Sequence, residues 1–299
     1  MALLIITTIL WAFSFSLIGE YLAGSVDSYF SVLMRVGLAA LVFLPFLRTR
    51  GQSPRTIVLY MLVGAMQLGI MYLLAFRAYL YLTVSEFLLF TVFTPLYITL
   101  IYDLLSGRKL RWGYLLSAAL AVLGAAIIRY DKVSDHFWTG LLLVQLSNLC
   151  FAIGMVGYKR LMEVRPMPQH NAFAWFYVGA FIVAVAAWLM LGNAQKLPTT
   201  TLQWSVLVWL GVVASGLGYF MWNYGATQVD AGTLGIMNNV HVPAGLLVNL
   251  AIWQEQPHWP SFISGALVIL ASLWVHRRWV APHSAQTANG RKRDSALSE

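Results

Sequence analysis

The chain has 299 residues, 60% of them hydrophobic and 10% charged, with a mean hydropathy of +0.72; a soluble domain of this size cannot cover that much apolar side chain with polar surface. Its formal net charge is +8, but the basic residues gather at alternate ends of apolar runs rather than on one face, which excludes nucleic acid as a partner. The single cysteine, Cys150, excludes an intramolecular disulfide and any zinc or iron–sulfur site built from thiolates.

A helix crosses the roughly 30 Å hydrocarbon layer with about 20 mainly apolar residues. Ten such windows follow one another: 3–22, 29–47, 56–79, 83–104, 111–129, 138–158, 171–191, 202–226, 231–253 and 260–280. Runs such as Leu115 to Ile128 are apolar on every face rather than alternating, which excludes a transmembrane barrel. An all-α integral membrane protein of ten transmembrane helices is expected.

The first span starts directly after Met1, with no basic segment before it and no cleavage site behind it, and reads as a retained helix. Ser14 is a polar group within it. In span 2, Arg35 lies some six residues inside the apolar window, where an unpaired guanidinium is expensive. A structural charge clamping helix-end carbonyls is the favoured role over direct substrate contact. Span 3 carries an aromatic stripe, Tyr72, Phe76 and Tyr79, read mainly as packing, with Tyr79 assigned to a cavity.

Span 4 has Pro95 near its centre, whose missing N–H and ring free the carbonyl of Thr91. Glu86, Phe90, Phe93 and Tyr97 share a face of that span and suggest an acidic and aromatic wall. In span 6, Tyr158 sits at a depth similar to that of Ser14. Span 8 ends in Tyr219, Trp222 and Asn223, where aromatic anchoring at the interface competes with a vestibule lining. Span 9 places Asn238 and His241 three residues apart, with Asn239 adjacent and Pro243 as a second mid-span proline. Polar groups at that depth face an interior cavity or bond between helices. No second histidine lies on the same helix, so no metal site is expected.

Cut between spans 5 and 6, the chain forms two halves. One register pairs Pro95 with Pro243, Ala78 with Ala226, and Ser106-Gly107-Arg108 with Gln254-Glu255-Gln256; another pairs Trp11-Ala12-Phe13-Ser14 with Phe151-Ala152-Ile153-Gly154. Five spans is an odd number, so the second half sits inverted. The expected units are 1–132, 133–280 and a polar, disordered tail, 281–299. Arg48, Arg50, Arg55, Arg108, Lys109, Arg111, Lys159, Arg160 and Arg165, with five more after span 10, face only Arg129, Lys132 and Lys196 on the other side. Both termini are therefore expected in the cytoplasm.

Small residues, Gly64 with Gly69 and Gly154 with Gly157 among them, permit close helix approach. No Walker loop, HExxH or dinucleotide-binding glycine pattern occurs, and no cofactor is expected.

Trp11-Ala12-Phe13-Ser14-Phe15, Arg35 before Ala39-Ala40, the stretch Ala75 to Pro95, Gly218-Tyr219 with Trp222, then Ala226, Pro243, Gln254-Glu255 and Gly265 occur in order across ten spans. Together they resemble the EamA-type transporters of the drug/metabolite transporter superfamily. Where that family's first repeat commonly has glycine and glutamate, this chain has Ser106-Gly107-Arg108, so an acidic position carries over only to Glu255. The length and aromatic cavity look most like the YddG-type amino-acid exporters. That resemblance implies export of aromatic and other neutral amino acids from the cytoplasm across the inner membrane; the lipid bilayer is the expected surrounding, and the sequence leaves open whether the carrier is a monomer.

The expected site is a central cavity between spans 1, 3, 4, 6, 8 and 9, with Ser14, Tyr79, Glu86, Phe90, Tyr158, Trp222, Asn238, Asn239 and His241 around the small-molecule substrate. Pro95 and Pro243 serve as kinks. A different cargo (a nucleoside, sugar or cationic drug), a channel, and a membrane-embedded enzyme remain the alternatives.

Overall fold

In the computed structural model of the protein, the described residues are 2–105, 120, 123, 135–229, 231–254, 259–260, 263–264, 267–268, 270–271 and 274. All regular structure among them is helical. The helices are α1 (Ala2–Tyr21), α2 (Ser28–Phe43), α3 (Pro54–Gly64), α4 (Met71–Ala78), α5 (Val84–Phe90), α6 (Thr94–Leu105), α7 (Asp135–Val164), α8 (Gln169–Leu191), α9 (Thr201–Trp209), α10 (Gly218–Thr227) and α11 (Ala231–Val248).

Several join end to end. Seven resulting stretches are long and apolar enough to cross a bilayer: Ala2–Tyr21, Ser28–Phe46, Pro54–Ala78, Val84–Tyr102, Phe137–Val164, Gln169–Leu191 and Thr201–Thr227. A shorter apolar stretch, Ala244–Trp253, ends the ninth span. The fifth window, 111–129, falls almost wholly outside the described residues and the tenth, 260–280, for the larger part; the tail and the boundary between the two expected halves lie outside them too. Exposed leucines and methionines such as Leu62, Leu142, Leu189 and Met190 cover the outside, as expected of surfaces solvated by lipid tails.

Helix starts are set by side chains that satisfy the first free N–H groups. Asp27 accepts from the Phe30 N–H at 2.8 Å, and Ser53 from that of Thr56. Thr83 and Glu86 cap each other's backbone reciprocally, as do Thr200 and Gln203. Gly24 and Gly51 take positive φ, 75° and 80°, in the turns that reverse the chain on either side of α2. At 30 residues, α7 is about 45 Å long. It outlasts the apolar window by continuing through Lys159 and Arg160, whose side chains reach Glu163 one turn on.

Two spans contain wide, i to i+5 bonded stretches instead of a continuous α-helix: Ala65–Ile70 between α3 and α4, and Leu210–Leu217 between α9 and α10. A third, Asn249–Trp253, comes after α11. Each inserts a residue into the helical repeat and re-aims the turns beyond it. Span 4 is instead tightened: Thr91–Phe93 forms a 3-10 turn just before Pro95.

That turn decides which carbonyls are orphaned. Pro95 cannot donate to Thr91, whose carbonyl accepts from the Thr94 backbone N–H and, at 2.7 Å, from the Thr94 hydroxyl. The Thr94 N–H is thereby diverted from Phe90, so Phe90 O is left open at membrane depth. Two amides on α7 fill it, Asn148 Nδ2 at 2.9 Å and Gln145 Nε2 at 3.2 Å.

The tightest packing joins α3 to α8. A Cβ built on Gly64 would lie 1.9 Å from the Phe176 carbonyl oxygen, and one on Gly179 the same distance from the Met61 carbonyl oxygen. Gly154 of α7 likewise rests on Gln67, with only 2.1 Å from its would-be Cβ to the Gln67 Cβ. Small residues here bring backbones together where no water-driven force pulls helices into contact.

Candidate functional site

Seven spans leave between them a cavity whose empty space, counting the open solvent at its mouth, is about 650 Å³. The spans expected to build it (1, 3, 4, 6, 8 and 9) all contribute, and span 2 adds Arg35. The lining falls in the later half of α1, in α4 and at the beginning of span 4. The cavity therefore lies toward the end of the bundle that carries the turns at 22–27 and 79–83.

Most of the wall is apolar or aromatic: Phe15 and Ile18 on α1, Phe76 on α4, Phe87 on α5 and Phe151 on α7. Tyr79 stacks on Phe87 with ring centroids 4.3 Å apart. Polar groups are few. Ser147 donates to the Met71 carbonyl at 3.0 Å, and Asn148 is held by its bond to Phe90 O. Asn238 lines the cavity at 2% exposure. Its Nδ2 has no hydrogen-bond partner among the described residues.

Arg35 is the charged member of the wall. It is 3% exposed, its Nε donates to Ser215 Oγ at 2.6 Å, and its guanidinium lies 4.1 Å above the centre of the Tyr72 ring. Tyr72 Oη in turn contacts Ser215 Oγ at 2.8 Å. Tyr177 Oη donates to the carbonyls of Ser215 and Gly216, pinning the wide turn that presents Ser215. Arg35 thus bonds a side chain rather than the helix-end carbonyls expected of it. Three described carboxylates are engaged elsewhere: Asp27 and Glu86 in caps, Glu163 with Lys159 and Arg160.

Beyond the cavity, toward the end that carries Arg48 and Arg165, the bundle is filled. Trp11 packs on Tyr219 and Trp222 with centroids 4.7 and 5.1 Å apart and donates its indole N–H to Ala214 O at 3.0 Å. Behind it, Gln67 and Asn223 exchange two amide hydrogen bonds, 2.9 and 3.0 Å. A further aromatic layer lies beyond: Tyr60 on Tyr158, and Tyr158 on Phe173. Lys159 Nζ closes that end against the last carbonyls of span 8, Ala226 O and Val229 O.

Of the residues expected around the substrate, Ser14, Tyr79 and Asn238 line the cavity, as does Arg35. Four lie off its wall. Glu86 is buried because its carboxylate caps α5. Phe90 packs edge-on against Phe137 and contributes its carbonyl, not its ring, to the polar network. Tyr158 Oη donates to Gln169 Oε1, and Trp222 Nε1 points at Met155 Sδ. The side chains of Asn239, His241 and Pro243 lie outside the described residues. Pro95 lies in the first turn of α6, directly after the 3-10 turn Thr91–Phe93.

The expectation passed over Ser147 and Asn148, and Gln145 behind them. They obey the rule that singled out Asn238, polar side chains in the middle of an apolar span. Tyr72 and Phe76, read as packing, belong to the wall.

The profile of the EamA-like transporter family matches residues 1–130 and 138–277. The "Biotin transporter" of Escherichia coli (strain K12) is 83% identical over 299 residues, all of both chains. The "Probable biotin transporter" of Pseudomonas aeruginosa is 56% identical over 279 residues, 93% of this chain and 97% of that one. A crystal structure sharing 17% identity superposes with a TM-score of 0.65 over 92% of this chain and 95% of its own, a likeness of fold alone.

Proposed function

The chain belongs to the EamA-like transporter family, and we propose that this multi-pass membrane transporter is an alternating-access carrier of biotin. The observation that carries the reading is the cavity. It lies between seven spans, is partly open to the outside, is walled by aromatic rings and is provided with a few fixed polar groups. Biotin presents two fused rings and an aliphatic chain to such walls, and its ureido group can meet the Asn238 and Asn148 amides. The close relatives' names supply the cargo.

Neither relative's name supports the aromatic and neutral amino acids that the sequence led us to expect. The geometry also disfavours a zwitterion. With Glu86 spent on its cap, no carboxylate among the described residues lines the cavity to meet an ammonium, and the charge that does line it is a cation. Asn239 and His241, on the helix that carries Asn238, are proposed as additional contacts.

We further read residues 1–132 and 133–280 as inverted five-span halves of a ten-span bundle with both termini in the cytoplasm. The family profile matches in two stretches, wide turns interrupt both span 3 and span 8, and basic residues crowd alternate breaks. In that orientation the cavity faces the outer side and the layers from Trp11 to Tyr158 close the inner one.

Full-length protein in proteoliposomes should take up labelled biotin saturably, and excess unlabelled biotin inside should accelerate the exchange. Labelled phenylalanine should not move above the level of protein-free vesicles. Biotin movement no faster than in empty vesicles, in either direction, would overturn the assignment; phenylalanine exchange would restore the amino-acid reading. Repeating the uptake with and without a pH gradient reads the energy source.

A further inference from the structure

The guanidinium of Arg35 is held on one edge and one face. Its Nε edge is tied to Ser215 Oγ, its flat face rests on the Tyr72 ring, and Ser215 is itself fixed by Tyr72 Oη. The two terminal nitrogens carry no hydrogen bond and no ion pair among the described residues, while the side chain lines the cavity. An arginine only 3% exposed inside a membrane protein, with no counter-ion among the described residues, is a costly arrangement. That cost is offset when an anion arrives, and a fork already oriented by its neighbours loses little freedom on binding one.

Resting on the reading of this cavity as the transport site, we propose that the terminal nitrogens of Arg35 receive the substrate's carboxylate. The cavity thereby selects monocarboxylates that carry an apolar body, and refuses the corresponding amides and esters. Three features agree on the class. A guanidinium fork matches two carboxylate oxygens bidentately. The lining beyond it, Phe76, Phe87 and Phe15, suits an apolar chain and ring rather than a second charge. The polar groups elsewhere on the wall, the Asn148 and Asn238 amides and hydroxyls such as those of Ser14 and Ser147, are neutral. A dianion would leave one charge in an apolar cavity, and a zwitterion would bring a second cation beside Arg35.

The test uses purified full-length protein in lipid nanodiscs, with the midpoint of thermal unfolding as readout and 5-phenylpentanoate and its amide as probes. The acid is ionised at neutral pH and otherwise matches the amide. On the wild type, the acid should stabilise at concentrations about 100-fold lower than the amide, the scale of one desolvated charge pair. Arg35→Gln should bring acid and amide together by weakening the acid alone. Arg35→Lys should keep the preference at reduced strength, since it retains the charge and loses the fork.

Equal stabilisation by acid and amide on the wild type, a comparison that needs no variant to fold, would overturn the proposal. So would a preference that survives Arg35→Gln. Biotin and biotin amide form a second pair that separates the two readings. A protein that prefers the phenylpentanoate acid yet moves no biotin supports the anchor and sinks the biotin assignment. One that carries biotin and its amide equally well sinks the anchor alone.

Discussion

Gly179→Ala is expected to destabilise the protein by about 3 kcal/mol or more, a large effect for the addition of one methyl group. The reason is the group that the methyl would meet. At 1.9 Å from the Met61 carbonyl oxygen, it collides with backbone, which cannot swing aside as a side chain tip can. The mirror-image contact of Gly64 with the Phe176 carbonyl means that α3 and α8 must part along the whole crossing. Gly64→Ala should behave alike. Gly157 is the control, since its added Cβ would meet only the Val63 side chain at 3.3 Å, and Gly157→Ala should melt near the wild type. The measurement is the thermal midpoint, with the yield of monodisperse protein, in one detergent. A Gly179→Ala protein as stable as Gly157→Ala would show that the two helices are not in backbone contact.

The second large effect concerns the amide pair behind the cavity. Asn223→Leu removes both hydrogen bonds to Gln67 and leaves a fully buried amide with neither donor nor acceptor satisfied, at a cost of about 2 kcal/mol. Gln67→Leu should cost about the same. The double variant should recover much of the loss, because two apolar groups leave nothing stranded, so the cycle should show a coupling of about 1–2 kcal/mol. Simple additivity of the two losses would mean that the pair does not exist in the membrane. If transport requires this layer to open toward the basic end, the double variant, with its apolar contact in place of two breakable bonds, should also exchange substrate at a changed rate.

How far these features were legible varies with their physical origin. The seven long apolar helices among the described residues were readable because the length of an apolar run is a direct response to bilayer thickness. Their ends were less so: α7 continues past Tyr158 because charged residues can extend a helix into the headgroup layer, which hydropathy does not register. The break at Pro95 was readable, but its consequence was not. Proline chemistry points to the Thr91 carbonyl, whereas the local 3-10 turn passes the deficit to Phe90 and so calls for Asn148.

Arg35 and Asn238 were legible by the same reasoning, as polar groups too expensive to place in lipid without a use. Asn148 and Ser147 carried an equal signal that went unread. Glu86 illustrates the converse. The run Thr83-Val84-Ser85-Glu86 has the spacing of a capping box, and the geometry that answers it takes the carboxylate out of the cavity. Depth and spacing in the chain narrow the candidates; which way a side chain turns is settled by its neighbours on other spans.

The wide turn at Leu210–Leu217 constrains the gene in an unusual way. Each residue of an ordinary helix advances the face by about 100°, so losing one residue here would restore a regular helix and rotate everything after it. Tyr219, Trp222 and Asn223 would leave the cavity floor, the Trp11 stack and the Gln67 pair together, although none had been substituted. Along this stretch, then, length is under tighter constraint than identity. Val212, half-buried, can be exchanged for another aliphatic residue with little effect, while its deletion should abolish exchange in vesicles. Codon loss is tolerated worse here than point change, the reverse of what a surface loop allows.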